Sequence, residues 1–485
     1  MMAWLRLLLA VGAGLLPSTP SGPAAPVQPR TEPPRDFRLR LDPTEHRINV
    51  RVEFVAPGST TVHLLFPGEW AGYPGLESRL RMVEAEGPSG TLAIEASPED
   101  VSSGHRYVKV ARPGRVTLSY SAVLTPPAES RLFHRVSQLS PDGGHLIGAD
   151  LFPRIWLGHP RSGPQAARVQ IQGLPAGWRV ATVAERSGTG YVVPDLRSTV
   201  FFVGPLRIHP IDVGQRRLIA AIDGDWSVSD DGMAEAVRRI ADALHGIAGD
   251  AWAAGTYLFG TGRVPRALAG PSLGGQVMGH SAITYLGRGV SADVEYDRWL
   301  TTAAHEMMHW YIPQAFDFGE KPPAWFAEGF TDYFALKALL ASGLIDGPSF
   351  LRAMGERLTR YRKSPLYGHS TMAQAQTDFW EDDAYRYIYD GGAVAALLLD
   401  LGFQARGRSL EGILRAARRN DPLTLKALTD ALAVVDQNDW LRAWIESGAA
   451  PDWDAELERY GLLWKDGELR SEDGWAVNVL GSIPP

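Results

Sequence analysis

The chain has 485 residues, 45% of them hydrophobic and 21% charged, the balance of a globular protein too long for a single ordinary core, so two or three domains are expected. A net charge of -7 argues against a nucleic-acid partner, which calls for a basic surface. With no cysteine, disulfide scaffolds, thiolate metal sites, a cysteine nucleophile and a lipid anchor on an N-terminal cysteine are all excluded.

The first residues pair a positive Arg6 with the short apolar run Leu7 to Leu16, broken at Pro17. This is a secretory-signal pattern over residues 1–25, which predicts export to a periplasm or the exterior; an uncleaved N-terminal anchor is the alternative. A proline-rich spacer follows at 26–35, with Pro26, Pro29, Pro33 and Pro34 stiffening it. No later segment is long enough for a membrane span. The apolar stretch Ala393 to Leu399 is bounded by Asp390 and Asp400 and reads as a buried helix.

Residues 36–213 read as an N-terminal β-sandwich. Ile48, Val50, Val52 and Phe54 alternate with Asn49, Arg51 and Glu53, the period of a half-buried strand, and similar short runs recur between Gly and Pro clusters. His145 and His159 fall in Gly/Pro-rich loop sequence and read as surface or structural histidines. The pattern changes at about 214. Leu218 to Ile222 and Thr256 to Phe259 read as strands. Ser229, Asp230 and Asp231 offer caps for a helix through Ala234, Val237, Ile240 and Leu244. Gly270 to Gly279 reads as a glycine-rich loop leading into the strand Ser281 to Leu286. Residues 214–405 are the expected catalytic domain, and 406–485 a C-terminal helical region.

His305-Glu306-Met307-Met308-His309 lies in a helical pattern from about Asp297 to Tyr311. Residues four apart share a helix face, so His305 and His309 can reach one metal ion, and Glu306 between them can bind a water on it. Chance places such a motif roughly 0.02 times in a chain of this composition. After Pro322-Pro323 a second helix begins with Trp325-Phe326-Ala327-Glu328, eighteen residues intervening between His309 and Glu328. Two histidines and a glutamate leave the fourth position of Zn2+ open to water, the arrangement of a catalytic rather than a structural site. Asp332, one turn on, can accept the other ring N–H of a zinc-bound histidine.

With Tyr389-Asp390-Gly391-Gly392 and the glycine-rich Gly274-Gly275-Gln276-Val277-Met278-Gly279-His280-Ser281, these motifs resemble the glycyl aminopeptidase family of gluzincins. Leukotriene-hydrolase and alanyl-aminopeptidase types share the eighteen-residue spacing. The likeness covers about Leu218 to Leu462. It implies a multidomain α+β fold with an N-terminal β-sandwich, a thermolysin-like zinc peptidase domain and a C-terminal helical region. It also implies that Tyr389 stabilises the oxyanion and that Gly274, Gly275, Gln276 and His280 border the substrate. Where the family carries a glutamate that grips the substrate's free amine, this chain has Val277, with Gln276 beside it. The C-terminal PDZ domain often present in the family has no room after Leu462.

The expected reaction is peptide-bond hydrolysis of a peptide or protein substrate, with Glu306 as general base and Tyr389, or else Tyr385 or Tyr387, as oxyanion donor. Another carboxylate, such as Glu320 or Asp382, could take over the amine. The alternatives are a gluzincin-fold peptide-binding protein with weak or no hydrolysis and, from shared zinc chemistry alone, an epoxide hydrolase.

Overall fold

The structure is a computed structural model and describes residues 34–482, apart from 97–103, 128–132, 159–162, 265–272, 289–290, 320, 380, 419–421, 436–439 and 472–473. The expected signal segment and His159 lie outside the described residues. Arg35 to Pro485 form one compact unit with several cores.

The N-terminal part is mostly strand. Arg35–Asp42 and Arg47–Ala56 pair antiparallel with Leu39 opposite Val50 and Phe37 opposite Val52, so the alternating apolar set faces one side. They lie at the centre of an eight-stranded sheet. Its buried face shares a core with Val62, Leu64 and Val108 of a four-stranded sheet, the layered packing of a sandwich.

A second four-stranded sheet joins this sandwich to the C-terminal half of the chain. In its strand Val200–Gly204 all five residues are buried. Phe201 and Val203 enter the sandwich core, while Val200 and Phe202 pack with Ala221, Leu258, Ile283 and Tyr285 of a five-stranded sheet. The two-residue period of a strand with both faces covered gives this division. His145 belongs to the strand Gly143–Ile147 of the same four-stranded sheet and is fully buried, with Nδ1 2.8 Å from the Tyr285 hydroxyl. It is structural, as expected, but in a strand rather than a loop.

The five-stranded sheet has the order Arg207–Val213, Arg216–Ile222, Gly255–Arg263, Ser281–Leu286, Leu273–Met278. Part of the expected glycine-rich loop is therefore the edge strand Leu273–Met278, antiparallel to Ser281–Leu286. Its glycines weaken the strand signal in the sequence, yet backbone pairing needs no side chains. Against this sheet pack the helix Asp230–Ala248, capped by the Ser229 side chain, and the helix Ala292–Met308 that carries the histidine motif. Helices Thr331–Ala341, Gly347–Lys363 and Asp382–Gln404 come next. The C-terminal helices add Trp440, Trp444 and Trp453 to the same core. Among the described residues no helix is long and apolar enough to cross a membrane.

Candidate metal centre

The motif helix runs from Ala292 to Met308, with His309 as its cap still in helical conformation, so His305 and His309 remain one turn apart. Each ring is held by its Nδ1. His305 Nδ1 is 2.8 Å from Asp332 Oδ1, and His309 Nδ1 is 2.8 Å from the Ile312 carbonyl oxygen. As a donor in each pair, Nδ1 fixes the tautomer that presents Nε2 with a free lone pair. Both Nε2 atoms lie 3.5 Å from the same oxygen, Glu328 Oε2.

Glu328 sits in a π-helical turn, Trp325–Phe330, which continues into helix Thr331–Ala341. Its Oε2 is buried and has no hydrogen-bond partner of its own. An orphaned carboxylate oxygen facing two imidazole nitrogens is costly unless a cation completes it. Two atoms bound to one tetrahedral zinc at roughly 2 Å are about 3.3 Å apart, close to the 3.5 Å found here. Among the described residues this is the one group of three or more His and carboxylate side chains whose ligand atoms converge, within 4.8 Å of one another. The donor set therefore fits zinc.

The charges around the site are strongly coupled. Burial alone would push the Glu328 carboxyl up, but the neighbouring His309 and His305 rings outweigh it and hold it well below the usual range. Burial opposes charge on His305 too, yet Asp332 and Glu328 outweigh it and push the ring up to about 10, so zinc would bind there by displacing the Nε2 proton. Asp332 stays ionised because Arg357 and His305 overcome its burial. Arg357 gives Nε and Nη2 to Asp332 Oδ2, both at 2.9 Å.

Glu306 is buried beside His305, and burial raises its carboxyl. Strand Leu273–Met278 passes directly over it. A Cβ on Gly275 would overlap the Glu306 side chain, so glycine is what lets the strand lie this close. Alternation along the strand puts Val277 on the same face as Gly275, and Val277 packs against the core that contains the motif helix. Gly274 and Gln276 face the other way. A Cβ on Gly274 would run into the His134 ring. The Gln276 amide takes the orientation that donates to the His134 and Arg135 carbonyl oxygens at 3.1 and 3.0 Å and accepts from Trp70 Nε1 at 3.1 Å.

Two of the expected substrate-bordering side chains are thus occupied elsewhere. Gln276 staples the edge strand to the N-terminal part. His280 stacks on Tyr257 at 4.2 Å and lies 3.3 Å from the Thr256 carbonyl oxygen. Period-two alternation separates Gln276 from the site once the glycine-rich stretch is taken as a strand.

Tyr389, on helix Asp382–Gln404, stacks on His305 with ring centroids 5.7 Å apart and lies near enough to Glu328 and Tyr385 to feel both electrostatically. Burial and then the Glu328 charge push its phenol well above the ordinary value, so it is a donor. Tyr385 lies against it at 4.2 Å. Tyr387 points away, donating to the Ser370 carbonyl oxygen at 2.9 Å, which removes it as a candidate. Glycine again sets the geometry. A Cβ on Gly329 or Gly392 would overlap the backbone of the other's helix, so the Glu328 turn and the Tyr389 helix touch at their main chains. Glu320 and the Asp382 side chain lie outside the described residues.

Residues 298–394, which hold His305, Glu306, His309, Glu328, Asp332, Arg357 and Tyr389, match the family model described as M61 glycyl aminopeptidase. No curated protein matches the chain. Among solved structures, an aminopeptidase N family protein from Idiomarina loihiensis has a TM-score of 0.74 at 17% identity, over 88% of this chain and 78% of that one. An M1 zinc metallopeptidase mutant from Deinococcus radiodurans, bound to a Tyr-Ser-Ala substrate, has a TM-score of 0.53 at 17% identity, over 87% of this chain and 95% of that one. At this identity the likeness is one of fold.

Proposed function

We propose that this chain, a glycyl aminopeptidase-like gluzincin by its segment 298–394, is an exported zinc metallopeptidase that hydrolyses peptide bonds. The observation that carries the reading is Glu328 Oε2, buried without a hydrogen bond and 3.5 Å from both histidine Nε2 atoms, beside a buried Glu306. Zinc held by His305, His309 and Glu328 supplies an acidified water and a Lewis acid for the substrate carbonyl.

The chain's own groups do the rest. Glu306 takes the proton of the attacking water and returns it to the leaving amine, a role its raised pKa favours. Tyr389 donates to the developing oxyanion. Asp332 and the Ile312 carbonyl oxygen keep the histidine Nε2 atoms turned toward the metal. The free side of edge strand Leu273–Met278 offers backbone groups to an extended peptide. Export rests on the signal pattern in residues 1–25.

Selectivity for a free N-terminus is weak in this reading, because Val277 puts an apolar side chain where a carboxylate would grip an amine. The same residue supports a second reading, a peptide-binding protein with little hydrolysis. Glu306→Gln separates the two. It keeps the metal and removes the proton acceptor, so hydrolysis should fall by roughly 10²–10⁴. Unchanged hydrolysis in that variant, or no chelator-sensitive hydrolysis in the parent, rejects the peptidase reading.

A further inference from the structure

Helix Gly347–Lys363 touches residues on two sides of the site. Arg357 and Arg360 lie three positions apart, neighbours on one helix face. Arg357 binds Asp332, the carboxylate that holds His305. Arg360 gives Nε to Asp390 Oδ2 at 3.0 Å and Nη2 to Asp390 Oδ1 at 2.7 Å. Asp390 follows Tyr389 in the chain and is only 3% exposed. Tyr361 of the same helix stacks on Tyr387 at 5.0 Å and fills the space that a side chain on Gly391 would need.

We infer that Arg357 and Arg360 are positioning residues, which tie the His305 side and the Tyr389 side of the site to one helix and so set the distance between them. This rests on the roles given above to His305 and Tyr389. A two-pronged guanidinium–carboxylate pair fixes direction as well as distance. A buried Asp390 without a partner would be costly, so the partner's helix cannot drift. The Arg360 side chain is 47% exposed and that of Asp390 4%, so the pair anchors the buried carboxylate and with it the backbone next to Tyr389.

Displacement of a reacting group by about 1 Å can cost roughly 100-fold in rate. In the zinc-loaded full chain, Arg360→Gln should lower kcat by roughly tenfold or more, with KM within about twofold and zinc content unchanged. In a Tyr389→Phe background the same change should cost little further, because the hydroxyl it places is gone. Arg357→Lys should instead lower zinc affinity roughly tenfold, read as zinc retained against a chelator. If Arg360→Gln lowers the thermal midpoint so far that kinetics cannot be measured, Arg360→Lys, which keeps the charge and loses one prong, should show an intermediate loss of kcat. Wild-type kcat in Arg360→Gln, or an equal proportional loss with and without the Tyr389 hydroxyl, overturns the inference. Unchanged turnover in Tyr389→Phe alone would instead reject the oxyanion role, and the Tyr389 arm with it; zinc retention in Arg357→Lys then decides the other arm.

Discussion

Gly392→Ala tests whether the main-chain contact between the Tyr389 helix and the Glu328 turn sets the active geometry. An alanine Cβ there would lie 2.9 Å from Gly329 Cα and closer still to the Trp325 carbonyl oxygen. Two carbons need about 3.5 Å or more, so the helices must separate by at least roughly 0.6 Å. Both contacts are backbone, and no side chain can rotate away. Overpacking of this kind costs about 1–3 kcal/mol of stability. The shift also moves the Tyr389 hydroxyl relative to Glu328, so, with the oxyanion role proposed for it, kcat should fall by roughly tenfold to 100-fold while KM changes little. Steady-state kinetics on a chromogenic peptide, with a thermal melt and zinc analysis of the same sample, provide the readouts. Wild-type kcat with a wild-type melting temperature would show that the close approach is not what places Tyr389.

Tyr389→Phe should retain zinc and lose roughly 10²–10³ in kcat, measured with metal content on one preparation. A peptide with and without an N-acetyl cap should give similar kcat/KM, and Val277→Glu should add a preference for the free amine of roughly tenfold to 100-fold, the value of a charge-assisted hydrogen bond; a strong preference for the free amine in the parent would show that another carboxylate grips it. Asp223 gives a pH prediction. Burial pushes its carboxyl up to about 6 from an unfolded value of 3.8. The folded state then holds the proton more tightly, so the group costs nothing below pH 3.8. It destabilises progressively up to pH 6, by as much as about 3 kcal/mol. Asp223→Asn should therefore raise the melting temperature at pH 7 and not at pH 3.5, and an equal effect at both values would contradict the buried-carboxylate account.

Much of the site is legible in the sequence because it is written in local spacings. His305 and His309 are four apart on a helix, and Glu328 opens the next helical segment after Pro322-Pro323. Asp332 comes one turn after Glu328. The strand at Leu273–Met278 reads as a loop because Gly274 and Gly275 carry no alternating side chains, and with it the direction of Gln276 is lost. Arg357 and Arg360 give no signal, since two arginines on an amphipathic helix look like a solvated face; only the fold brings Asp332 and Asp390 to them. His145 looks like a loop residue among glycines, and its burial depends on its strand pairing with the distant segment Val200–Gly204. Pairings of that range leave no local period to read.

The most direct measurement is metal content and hydrolysis on the purified protein and on His305→Ala/His309→Ala. The parent should hold about one zinc per chain and lose peptide hydrolysis on chelation, and the double variant, left with one ligand of three, should hold almost none. Stoichiometric zinc in the double variant, or hydrolysis that survives removal of the metal, would contradict the account.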